Sequence, residues 1–101
     1  RMDMNINNIM QQAQKMQKDL QKKQEEINSM IFVGESEWVE ATLFGSKKIK
    51  QIKIKNKTTM DEEDLECLED MIKIAIEDAY SKIDKEVEKK MGMYGSLGGL
   101  F

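Results

Sequence analysis

The chain has no histidine and no proline, and only one cysteine and one tryptophan. Without histidine it lacks the side chain that most often acts as general base or metal ligand. Cys67 has no partner for an internal disulfide, which suits a reducing compartment. Its neighbours Glu66 and Asp70 are the opposite of the electropositive setting that activates a thiolate. No glycine-rich loop joins a strand to a helix in the phosphate-cradling pattern. No apolar run approaches the length that crosses a bilayer, and Arg1-Met2-Asp3-Met4-Asn5 is not the apolar stretch of a secretory signal. These absences predict a cytoplasmic protein that is not an enzyme, with no cofactor, no metal, no small-molecule substrate and no membrane partner. Arg1 is not an initiator, so the expected translational start is Met2 or Met4.

What is present is a charged but not disordered composition. Of 101 residues, 35% are charged and 40% hydrophobic, enough apolar surface for one core and too little chain for two. A single domain over 1–101 is expected. The net charge of −3 argues against a simple polyanion binder, yet the charges are segregated. Residues 61–70 carry seven acids and no base; without those seven the −3 becomes +4. An acidic protein organised this way can still present a basic surface.

The first segment predicts a helix over about 5–29. Ile6, Ala13, Leu20 and Ile27 recur every seven residues, with Ile9, Met16 and Met30 on the partner heptad position. Lys23 interrupts this seam, its stem lying along it and its charge projecting outward. From Met30 the period changes to two, predicting strands over about 30–34, 38–44 and 48–55. Val39, Ala41 and Leu43 alternate against Glu40, Thr42 and Phe44, and Gly45-Ser46 supplies a turn. Ile52 and Ile54 share a face that Ile49 does not, which places a bulge or strong twist near Gln51.

A second helix is predicted over about 60–91, opened by a capping box of Thr59 and Glu62. Leu65, Leu68, Ile72, Ala75, Ala79 and Ile83 form its main apolar stripe, and Cys67, Met71 and Ile74 a second one beside it. One small sheet cannot bury both. The surplus predicts a partner subunit, with Cys67, Met71 and Ile74 in a homodimer interface. Past Asp78 the line of the second stripe becomes Lys82, Lys85 and Lys89, so the helix is expected to leave the core there and project. The tail over 92–101 is glycine-rich and expected to be mobile unless its apolar end docks.

The lysines are the remaining signal. Lys15, Lys18 and Lys22 form one stripe on the first helix, and Lys82, Lys85 and Lys89 repeat its spacing on the second. The run Lys47, Lys48, Lys50, Lys53, Lys55, Lys57 contains no acid. Each set is also what a solvated helix face or a lysine-guarded edge strand looks like. Two matched stripes on projecting helices suit a nucleic-acid backbone better than base edges. The carboxylates of 61–64 lack the spaced ligands and central glycine of a calcium loop and suit a helix start instead.

The order of parts resembles a known family. Ile9-Met10-Gln11-Gln12-Ala13-Gln14-Lys15-Met16-Gln17 is similar to the opening of the YbaB/EbfC family of bacterial nucleoid-associated proteins. So are Val33-Gly34-Glu35-Ser36, Ile49-Lys50-Gln51-Ile52-Lys53-Ile54, Leu68-Glu69-Asp70-Met71-Ile72 with Asp78-Ala79, and the tail from Lys90-Met91-Gly92 to Gly98-Gly99-Leu100-Phe101. The resemblance spans about Met4 to Phe101. It implies an α+β fold in the order α-β-β-β-α, with a three-stranded antiparallel sheet flanked by two long helices, and a tight homodimer with projecting helical arms. It also implies DNA as the partner, a place in the nucleoid and no enzymatic activity. DNA contact, attributed in the family to the projecting helices, falls on Lys15, Lys18, Lys22, Lys82, Lys85 and Lys89. Two departures stand out: Ser36-Glu37-Trp38 replaces the usual glycine cluster between the first strands, and Phe44-Gly45 the usual asparagine–glycine turn. The alternative on residues alone is a protein-interaction module that uses the first helix's seam and the apolar tail.

Overall fold

Strict alternation over Val39–Phe44 makes one face of this segment apolar, and the structure buries Val39, Ala41 and Leu43 completely while Glu40, Thr42 and Phe44 stay half-exposed. The computed structural model describes residues 5–92; the expectation for the tail beyond Gly92 lies outside the described residues. The elements run α1 (Ile6–Ser29), β1 (Ile31–Glu35), β2 (Val39–Phe44), β3 (Ile49–Ile54) and α2 (Glu62–Met91), the expected α-β-β-β-α order. The strands form an antiparallel meander with β2 in the centre.

The bulge expected near Gln51 is present one residue earlier. Leu43 pairs with Ile49 and Thr42 with Gln51, so Lys50 has no cross-strand partner. The hairpin before it turns on Lys47, whose φ of 73° is left-handed. Its ammonium lies 3.4 Å from the Asp84 carboxylate and 5.3 Å from the centre of the Tyr80 ring, which pins the turn to α2.

The amino-terminal cap of α2 differs from the expected one. Asp61, extended at φ −86° and ψ −176°, accepts from the Asp64 amide at 2.8 Å, and Asp64 accepts from the Asp61 amide at 3.2 Å. Thr59 is two residues too early: Thr58 beside it is held in a local turn by the Asn56 side chain, which accepts from the Thr58 amide and hydroxyl. The aspartate pair does what Thr59 and Glu62 were expected to do, with two charges at the positive end of the helix dipole. At α1 the same role falls to Asn5, whose side chain accepts from the Asn7 amide at 3.0 Å.

α2 lies over β1 and β2, not over β3, and α1 reaches the core only near its carboxyl end, where Ile27 is fully buried. Two glycines allow these contacts. A β-carbon on Gly34 would overlap the Ala75 carbonyl oxygen and the Ala79 amide nitrogen of α2, and one on Gly45 would overlap the Ile27 carbonyl oxygen of α1. At Gly34 and Gly45, backbone meets backbone.

This approach brings polar groups of α2 to the outer edge of β1. The Asp78 carboxylate accepts from the Glu35 amide at 2.9 Å, the Lys82 ammonium donates to the Val33 carbonyl at 2.6 Å, and the Ser36 hydroxyl donates to the Met71 carbonyl at 2.8 Å. Lys82 also lies 3.5 Å from Asp78. The Glu35 amide does most to hold the Asp78 carboxyl below its usual value of 3.8; desolvation opposes it, and Lys82 and Lys85 add to the lowering. β1 is an edge strand with its edge closed.

The expectation that α2 leaves the core past Asp78 is corrected. Ala79 and Ile83 are buried and Val87 packs against the same cluster. The apolar row Ala75, Ala79, Ile83, Val87 continues at four-residue spacing while the neighbouring row turns to lysine, so the helix stays seated on one row as it exposes the other. Only its last turns run beyond, tied to α1 by Lys90 and Glu26 at 3.5 Å. The described chain is drawn out: its radius of gyration is 20.3 Å, where a compact domain of this size has about 12 Å. The long dimension is 77 Å against 20 and 16 Å, and the amino-terminal half of α1 is an exposed arm.

Two stability measurements follow from this packing. Gly34→Ala forces the helix off the strand and lowers the unfolding free energy by about 3 kcal/mol. Gly92→Ala, with nothing near its β-carbon and a helical φ of −57°, leaves the urea midpoint unchanged or slightly raised. Because the folded-state pKa of Asp78 is depressed, its contribution is complete above 3.8 and is lost as pH falls below that value. Urea titrations of the wild type and Asp78→Asn are expected to differ at neutral pH and to converge once the carboxyl protonates in the folded state.

Candidate nucleic-acid interface

The lysines sort by what they touch. Lys15, Lys18 and Lys22 are exposed on the free arm of α1, and the three span about 10 Å at the rise of a helix. Lys85 and Lys89 are exposed on α2. Among the described residues none of these five is paired with a carboxylate. Lys82 differs, since its ammonium already serves the Val33 carbonyl and Asp78. Of the six lysines that the sequence and the resemblance single out, the structure leaves five available and uses the sixth to close a sheet edge. Asp78 four residues before it distinguishes Lys82 from Lys85, which has Ser81 there, but its other partner Val33 is 49 positions away. The two helices do not present matched stripes, because Glu86 and Glu88 interleave with Lys85 and Lys89, whereas α1 between Lys15 and Lys23 holds one acid, Asp19, which pairs with Lys23 at 3.2 Å.

In the sequence Lys47 and its successors form one run, and the structure divides them. Lys47 is held by Asp84 and Tyr80, whereas Lys48, Lys50, Lys53, Lys55 and Lys57 are all exposed along or next to β3. Strand order makes β3 an edge, which agrees with reading this run as a lysine-guarded edge strand.

The residues expected at a subunit interface are also divided. Cys67 is exposed and Ile74 is 52% exposed, while Met71 is half-buried against the chain's own core. Leu65, 48% exposed, adds to the uncovered apolar surface of α2, and Ile49, 51% exposed, lies at the start of the strand that α2 leaves uncovered. The acidic block begins with the Asp61 and Asp64 cap, and among the described residues no cluster of cysteines and carboxylates is disposed to hold a metal ion. No helix among them is long and apolar enough to cross a membrane.

Comparison with known proteins identifies the family. Residues 2–98 match the model of the YbaB/EbfC DNA-binding family. A protein named "Nucleoid-associated protein" from Streptococcus pneumoniae strain Hungary19A-6 is 45% identical over 93 residues, covering 90% of this chain and 93% of the relative. Proteins of the same name from strains CGSP14 and TIGR4 match to the same extent. With the α-β-β-β-α fold and nearly the full length of the chain in agreement, the protein belongs to the YbaB/EbfC DNA-binding family.

Proposed function

We propose that the protein is a nucleoid-associated DNA-binding protein. It acts as a homodimer on duplex DNA, through lysine–phosphate contacts with weak sequence selectivity, in nucleoid organisation or gene regulation. The observation that carries this reading is the set of five exposed, unpaired lysines, Lys15, Lys18, Lys22, Lys85 and Lys89, on two helices of a chain from a DNA-binding family. An ammonium on an exposed helix is a point charge suited to phosphate oxygens and carries no base-edge code. A second copy is supported by the exposed Leu65, Cys67 and Ile74 on α2 and the uncovered Ile49 on β3. Residues of this kind on both sides of an isologous contact bury one another.

The amino-terminal seam of α1, with Ile6 71% and Ile9 46% exposed, favours a second reading as a docking surface for another protein. The two readings separate on charge. In fluorescence anisotropy with a labelled duplex, log affinity is expected to fall with log salt at about −0.9 per phosphate neutralised. Reversal to glutamate at Lys15, Lys18, Lys22, Lys85 and Lys89 abolishes binding while the dimer persists. A flat salt dependence, or full binding by the reversed variant, refutes the lysine–phosphate reading. For the dimer, Ile74→Asp is expected to shift sedimentation toward the monomer at micromolar concentration; an unchanged dimer moves the interface elsewhere.

A further inference from the structure

The two edges of the sheet are treated differently. Asp78, Lys82 and the Ser36 contact to Met71 close β1, but β3 faces outward with Lys48, Lys50, Lys53 and Lys55 exposed along and beside it. We propose that this open edge is a second DNA-backbone site, in which these four lysines contact the phosphates of the duplex held by the helices. The inference rests on the DNA-binding reading and adds a surface to it.

Three observations support it. The first is charge. No acid occurs between Glu40 and Asp61, and no ion pair among the described residues engages these four, whereas Lys23, Lys47, Lys82 and Lys90 each have a carboxylate partner. Glu40, opposite Lys53 in the register, is the one acid on a neighbouring strand position. Lys57 is left out because it stands only four residues ahead of Asp61.

The second is the bulge. A regular β3 would place Lys50 on the same face as Ile52, toward α2. As the unpaired residue, Lys50 instead brings its ammonium to 5.9 Å from the centre of the Phe44 ring, on the face away from α2. Lys53 and Lys55, two residues apart, share that face with Gln51. The bulge therefore gathers three ammonium groups on one side of the edge while Ile52 and Ile54 keep their places on the other.

The third is continuity with the arm. The Gly45 amide donates to the Met30 carbonyl at 2.9 Å, and Gly45 sits directly on Ile27, so the hairpin tip that carries Lys48 lies at the root of α1. The carboxyl end of α1 and the hairpin that leads into β3 are thus neighbours in the fold. β3 adds about 20 Å of extended chain to the roughly 10 Å spanned on α1. A lysine-lined edge also repels other strands, and that role alone leaves DNA affinity untouched.

The test compares salt dependences on the same labelled duplex for the wild type, K48Q/K50Q/K53Q/K55Q, and a variant with glutamine at Lys15, Lys18 and Lys22. The edge variant is expected to bind about tenfold or more weakly at low salt, with a log–log slope shallower by two or more, at about 0.9 for each phosphate no longer neutralised. The milder K53Q/K55Q, expected to be shallower by about one, carries the test if the quadruple variant aggregates. A slope equal to the wild type in a folded edge variant overturns the proposal. If the α1 variant alone then loses binding, the DNA-binding reading stands without the edge. No binding by the wild type refutes both.

Discussion

The architecture turns on a close approach of two backbones. Gly34 of β1 lies against Ala75 and Ala79 of α2, and only the absent β-carbon on one side and the small methyl groups on the other let strand and helix meet at that distance. The rest of the architecture depends on it. Because α2 is held so close to β1, Asp78, Lys82 and the Met71 carbonyl come within hydrogen-bond reach of the strand edge. Because it is held over β1 and β2, it cannot also cover β3. One closed edge and one open edge are two consequences of one packing choice.

That choice also divides the surface. The core is thin, seven buried apolar residues with no buried polar group among those described, and much apolar surface remains outside it on α2, β3 and the arm of α1. Apolar residues on the α2 side and lysines on the other side and along the arms leave room for a second subunit and a polyanion on different faces. The acids of residues 61–70 sit at the amino end of α2, where the helix dipole favours them and where their distance from the α1 arm keeps them from cancelling its charge. This is how a chain of net charge −3 can belong to a DNA-binding family.

Elements with a strong period are legible in the sequence. The alternation in β2 and the stripe through Ala75, Ala79 and Ile83 state which face is buried, because side-chain periodicity is a local property of helix and strand. The seam of α1, by contrast, marks an apolar face that the chain itself buries only at Ile27. The bulge is legible to within one residue, since the isoleucines of β3 cannot share a face in a regular strand. The start of α2 is ambiguous because Thr59 with Glu62 and Asp61 with Asp64 have the same spacing. Backbone conformation at Asp61, together with the turn at Asn56, selects between them. The exit of α2 from the core lies later than its lysines suggest, because one helix row changes character while the row beside it does not.

From sequence alone come the order of elements, the absence of histidine and of any phosphate loop, and the supply of lysine. These are properties of composition and period, which a chain carries before it folds. Which lysines remain free was decided by tertiary structure. The sequence offers Lys82 an acid at Asp78, four residues before it, but not the carbonyl 49 residues away that also holds its charge, while Lys85 is exposed. Lys47 and Lys48 are neighbours, yet one is pinned by Asp84 and the other faces solvent at the open edge. An ammonium group is available to a phosphate only if no nearer oxygen holds it, and nearness in space is set by how closely β1 and α2 pack.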